Sequence, residues 1–114
     1  MNRLLVTLAL ILAPVVASAT PQTITIEYDG DVGTPGFFLI ASTPPVMDLN
    51  SPPNVVSGAI LEAMSKKVAD ALASLERVNG KQYSCKAVAF FNRNDSNAGW
   101  IVGLSSLKSC EALN

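Results

Sequence analysis

The feature that most constrains this chain is its first nineteen residues, which read as an export signal and leave 95 residues to fold. Arg3 supplies the positive charge that holds the N-terminus on the cytosolic side. Leu4 to Leu12 is apolar except for Thr7, and Pro14 breaks the run before the small residues Ala17-Ser18-Ala19. That pattern predicts peptidase cleavage after Ala19, with a single small domain over residues 20–114. A membrane anchor is the weaker reading, because a helix needs roughly 20 apolar residues to span a bilayer. No Cys follows the cleavage point, which argues against a lipoprotein anchor, and no later stretch is apolar enough to span a membrane. The protein is therefore expected outside the cytoplasm, secreted or periplasmic, with no membrane association after cleavage.

Export gives the two cysteines a default chemistry. In an oxidising compartment Cys85 and Cys110 are expected to form a structural disulfide. The loop it closes is worth roughly 3 kcal/mol in the chain-entropy model. Two Cys without CxxC spacing, in a chain with no His, make a poor metal site.

Charge narrows the partners. Arg3 leaves with the signal, so seven basic residues face nine acidic ones in the exported domain. A weakly acidic, scattered charge set offers no footprint for nucleic acid or anionic membranes.

The exported domain reads in order as strand, strand, helix, strand, strand and a short helix. Thr23 to Tyr28 alternates β-branched and polar residues, and Phe37 to Ala41 forms a second strand after a Gly-rich turn. Residues 42–54 hold Pro44, Pro45, Pro52 and Pro53 and read as an extended loop folded over the domain. Ile60, Leu61, Met64, Val68, Leu72, Leu75 and Val78 recur at helical spacing. They predict one long helix, capped by Asn54 or Ser57 and stopped at Asn79-Gly80.

Tyr83 to Phe91 and Gly99 to Leu104 then pair as a hairpin around a polar turn at 92–97, placing Phe90 opposite Trp100 and Val88 opposite Val102. In that register Cys85 cannot reach Cys110 along a straight strand. The chain is therefore expected to turn near Ser105-Ser106 into a short C-terminal helix carrying Leu107, Cys110 and Leu113 on one face. The predicted class is α+β: a single antiparallel sheet of about four strands (β-β-α-β-β), with the long helix on one face. A permuted ferredoxin-like sandwich is the variant in which Thr23 to Tyr28 pairs beside a central strand.

The absence of His removes Ser-His-Asp and Cys-His nucleophilic mechanisms and His-ligated metals. Asp29 and Asp31 are the closest carboxylates, but around Gly30 they read as turn formers rather than as an acid/base pair or a Ca²⁺ loop. Gly30, Gly33 and Gly36 lack the Lys-Ser/Thr of a phosphate loop. Asn94-Asp95-Ser96 matches a glycosylation sequon, relevant in a eukaryotic source. No enzyme and no cofactor or metal are expected.

What remains is an apolar sheet face. Phe90, Trp100, Val88, Val102 and Leu104 are expected on one side of the hairpin, away from the helix, which packs on the small residues Cys85, Ala87, Ala89 and Gly103. A face so apolar needs a cover. The candidates are the 42–54 loop with Val46, Met47 and Leu49, or a partner: a target protein, a second copy or an apolar ligand. The leading expectation is an exported interaction protein of effector, inhibitor or accessory type that binds through this face. The alternative is an apolar-ligand binder with residues 42–54 as a lid.

Overall fold

The computed structural model describes residues 21–31, 33–50 and 52–113; the export signal and its cleavage point lie outside them. Its elements are β1 (Gln22–Asp29), β2 (Gly36–Thr43), β3 (Met47–Asp48), β4 (Asn54–Val55), β5 (Ala59–Ala63), α1 (Lys66–Ala73), β6 (Gln82–Asp95) and β7 (Gly99–Ala112). The first two strands form as expected. Ile24 and Ile26 of β1 and Phe37 and Leu39 of β2 point into the core, and the strands pair antiparallel. The rings of Tyr28 and Phe37 meet edge to face at 5.3 Å.

The sheet does not stay open. Its five long strands close into a barrel in the order β1-β2-β5-β7-β6, with β6 pairing back onto β1. Every pairing in it is antiparallel except β5 with β7. This is a Greek-key type of closure, which removes exposed sheet edges by joining the first and last strands. Small barrels fill their interior with side chains. Here Cys85, Ala87 and Ala89 keep the narrow lumen from overfilling, while Leu39, Val102 and Leu104 occupy it.

The predicted α+β layout is therefore corrected: 58% of the described residues are strand and 9% helix. The long helix fails at its first half. Ala59 and Leu61 are buried and Ile60 is not, the period-two pattern of β5 held between β2 and β7. Met64 and Val78, assigned to the helical stripe, are 47% and 48% exposed. Only Lys66–Ala73 is helical, starting at Ser65, whose hydroxyl accepts from the Val68 amide at 3.2 Å. Helix α1 buries Val68, and Ala71 and Leu72 pack beside it on the core. Strand pairing needed to close the barrel outweighed a local helical period.

The hairpin register is also corrected. β6 continues to Asp95, whose carboxylate accepts from the amides of Asn97 and Ala98 and closes a short turn. Gly99 follows at φ +85°, a left-handed position suited to glycine in such hairpins. Phe90 then pairs with Gly103, Phe91 with Val102 and Val88 with Ser106. The shift from the expected pairing is odd at Phe90. Strand side chains alternate faces, so an odd shift moves β7 residues to the other side.

No C-terminal helix forms. β7 runs to Ala112, and the register slips between Ser84 and Lys86 so that Cys85 lies across from Ser109 and Cys110. Ser109, at φ 56°, is the extra residue of that bulge. The disulfide is present, with Cα atoms 4.1 Å apart. A bulge, not a helix, brings the cysteines together.

Candidate functional site

Residues 42–54, expected as a loose cover, are built into one end of the barrel. Val46 and Val56 are buried in the core, and the Val56 amide donates to the Val46 carbonyl at 2.9 Å. Between them β3 and β4 form a two-stranded hairpin, with Met47 opposite Val55 and Asp48 opposite Asn54. The Asp48-Leu49-Asn50 sequence explains the bend. One Asp48 oxygen accepts from both the Asn50 amide and the Asn50 side chain, at 3.0 and 2.8 Å. An Asp side chain that binds the backbone two residues on is a recurrent turn device.

The other Asp48 oxygen accepts from the Trp100 indole N–H at 2.8 Å. Asp48 is the buried polar residue of the described structure, 7% exposed, and both its oxygens are satisfied. Its pKa lies below the usual carboxylate range. The Asn50 backbone N–H is the main cause, burial opposes it, and the Trp100 and Asn50 side chains reinforce it. The bond ties the inserted hairpin to the start of β7.

Two hollows flank this hairpin. On one side Asp48, Asn50, Asn54, Ser57, Asn94 and Trp100 line a cleft of about 530 Å³ between the inserted hairpin and the β6–β7 turn. On the other, Met47, Leu49, Asn50 and Phe91 line a hollow of about 430 Å³. Leu49 stands 77% exposed above the second hollow, and Val55 is 57% exposed.

The outer barrel wall carries a third grouping. Asn92 is a bulged residue, because Phe91 pairs with Val102 while Arg93 pairs with Ile101. Consecutive strand residues normally face opposite ways; the bulge turns both Asn92 and Arg93 outward. Both reach Glu62 of β5, Arg93 through two bonds at 3.1 and 3.2 Å and Asn92 through one at 2.8 Å. The Arg93 hydrogen bond is the main reason the Glu62 pKa falls, with burial opposing it. The same carboxylate raises that of Arg93.

The five residues expected on one aromatic face are not brought together. Val102 and Leu104 are fully buried inside the barrel. Val88 and Phe90 alternate with the buried Ala87 and Ala89 and lie on the outer wall. Phe90 covers its cross-strand partner Gly103, where an added Cβ would fall 2.5 Å from the ring. Trp100 is half-buried at the barrel end, packed on the core and bonded to Asp48. Asp29 and Asp31 hold the β1–β2 turn: the Asp31 amide donates to Asp29 at 2.8 Å, and the Asn79 side chain donates to Asp31 at 2.6 Å. Among the described residues, no group of three or more His, Cys, Asp or Glu side chains is placed to hold a metal ion, and no helix is long and apolar enough to cross a membrane.

Sequence reasoning passed over Asp48, Asn50, Glu62 and Arg93. The Asp-x-Asn spacing at 48–50 was a readable turn signal. The Glu62–Arg93 pair, 31 residues apart, had no local signal. Compared with family models, curated proteins and solved structures, the chain matches none. Function is therefore read from these side chains.

Proposed function

We propose that this chain is an exported, non-enzymatic binding protein that captures a protein partner at the barrel end carrying the β3–β4 hairpin. The observation behind the proposal is Leu49, a large apolar side chain 77% exposed on a rigid support. Its neighbours are fixed on three sides: Val46 in the core, Asp48 bonded to Trp100, and Asn50 bonded to Asp48. A preorganised apolar residue loses little conformational entropy on binding. Beside it the Met47–Phe91 hollow can receive an apolar side chain, the arrangement typical of interface hot spots.

Phe90 and Val88 lie on the outer wall apart from this hollow, Val102 and Leu104 are buried inside the barrel, and only Trp100 bears on the hairpin, through Asp48. A ligand held beneath residues 42–54 as a lid is less favoured, since that segment supplies Val46 to the core.

The test compares capture by the exported chain and by Leu49→Ser in the native extracytoplasmic compartment. An exposed Leu→Ser change should leave the fold intact, as read by circular dichroism and Trp100 emission. Loss of a partner recovered with the unmodified chain supports the proposal. An identical set of partners recovered with both overturns it.

A further inference from the structure

We propose that the outer barrel wall carries a site for a soluble phosphomonoester dianion, built on Lys86 of β6 and Lys108 of β7. It goes beyond the protein-capture reading and uses none of that surface's side chains.

The observation behind it is a pair of like charges. Lys86 and Lys108 are direct cross-strand partners, and both are exposed. Like charges placed directly opposite each other on a sheet cost stability. Among the described residues neither ammonium group makes an ion pair or a hydrogen bond, whereas Lys66, Lys81 and Arg93 each pair with an acid. Packing does not account for the pair either. The buried side chains beside them, Cys85, Ala87 and Leu107, point to the opposite face.

Hydroxyl groups surround the two charges. Thr23 of β1 is the second cross-strand partner of Lys86, and Thr43 of β2 is the partner of Thr23. One outward row therefore reads Thr43, Thr23, Lys86, Lys108. Beside it Thr23, Ser84, Lys86 and Ser109 line a hollow of about 560 Å³. Among the described residues the side chains of Thr23, Ser84 and Ser109 make no hydrogen bond, so each hydroxyl is free to donate. Cross-strand Cβ atoms lie about 5 Å apart, so two lysine stems can bring their ends to one bound group.

The ligand class follows from charge. Two ammonium groups donate and accept nothing, and a dianion matches them one for one. A carboxylate or a phosphodiester would leave one positive charge unmet. Lysine is also a point-charge partner for phosphate oxygens, while a carboxylate is better matched by a guanidinium, and no Arg lines the hollow. Glu111 faces the same hollow, so the site suits one such group rather than a polyanion. Anionic lipid surfaces are recognised by clusters of about four or more basic residues, which this wall lacks.

The experiment is an NMR titration of the isotopically labelled exported chain at pH 7.5 and constant ionic strength. The probes are methyl phosphate, a dianion, with dimethyl phosphate and acetate as single charges. Methyl phosphate should move the Lys86 and Lys108 side-chain resonances and the Thr23 and Ser84 amides together and saturably. Lys86→Gln and Lys108→Gln should each weaken that binding by roughly tenfold, the worth of one charged hydrogen bond. Both sites are exposed, and circular dichroism checks that the variants fold. Glu111→Gln should tighten binding, because it removes a repelling charge. Lys66→Gln and Leu49→Ser should leave it unchanged, which separates this site from a general response of surface lysines and from the protein-binding surface. The proposal is overturned if methyl phosphate gives no saturable shift, or if dimethyl phosphate or acetate binds as tightly. It is equally overturned if affinity survives either Lys→Gln change, or if Glu111→Gln weakens it. Vesicles containing phosphatidic acid should not sediment the chain; sedimentation that depends on both lysines would overturn the assignment to a soluble ester.

Discussion

The indole nitrogen of Trp100 donates to Oδ2 of Asp48 at 2.8 Å, joining residues 52 positions apart at the end of the barrel. That bond decides where the inserted hairpin stands, and with it the positions of Leu49 and of both flanking hollows. Trp100→Phe removes the donor and leaves a buried carboxylate oxygen unpaired. The melting temperature should fall by several degrees, and the Asn50 amide should exchange faster with solvent. An unchanged melting temperature in the variant would mean that the bond does not anchor the hairpin.

The inside and outside of the hairpin can be told apart by a pair of substitutions. Val102 is fully buried, so Val102→Ser leaves a cavity and buries a hydroxyl, at a cost of about 3 kcal/mol or more. Val88 lies on the outer wall and is part-exposed, so Val88→Ser should cost about 1 kcal/mol or less. Urea titration reads both. Equal losses would contradict the register.

Gly103 gives a sharper version of the same test. Alanine there would put a Cβ 2.5 Å from the Phe90 ring, which must swing away. Gly103→Ala should destabilise by about 1 kcal/mol, and most of that loss should vanish in a Phe90→Ala background. Strict additivity would show that the ring does not rest on the glycine.

The disulfide closes a separation of 25 residues. Reduction should lower the unfolding free energy by about 2–4 kcal/mol, measured by denaturant titration with and without a reductant. No change on complete reduction would show that the β6–β7 pairing suffices alone.

Acid should act through three carboxylates. Asp48, Glu62 and Asp95 are all held below their ordinary pKa, chiefly by the Asn50 amide, the Arg93 guanidinium and the Asn97 amide respectively. A carboxylate with a depressed folded pKa adds stability above its unfolded value, and that stability is lost as pH falls through the folded value. Unfolding free energy should therefore hold from about pH 7 to about pH 5 and decline below about pH 4. Arg93→Gln should remove part of that decline by returning Glu62 toward its ordinary range. Stability that rises on acidification would contradict the assignment.

The legibility of this chain in its sequence was uneven for physical reasons. Alternation in Thr23 to Tyr28 marked a strand correctly, because a half-buried strand imprints its period directly, and the apolar run Phe37 to Ala41 after a Gly-rich turn marked the second. The cysteine pair was legible from chemistry and count. Residues 60–78 misled because Ile60 and Leu61 belong to a strand and Val68, Leu72 and Leu75 to a helix or its end. Their combined spacing imitates one continuous helical face. The hairpin misled because three bulges, near Cys85, Ser105 and Asn92, change its register, and no pattern of residue types announces a bulge. The aromatic face expected at Phe90, Trp100, Val88, Val102 and Leu104 inherited that error. Asp48 and Trp100, and Glu62 and Arg93, meet only once the barrel closes, so their pairing could not be read locally.

The claim that recognition is centred on Leu49 is tested most directly by site-specific photo-crosslinking in the compartment where the protein resides. A photoreactive residue is placed in turn at Leu49, at Val55 and at Glu111 on the far end of β7. Adducts to one protein from positions 49 and 55, and none from position 111, are the predicted result. Adducts from position 111 alone, or of equal yield at all three, would contradict it.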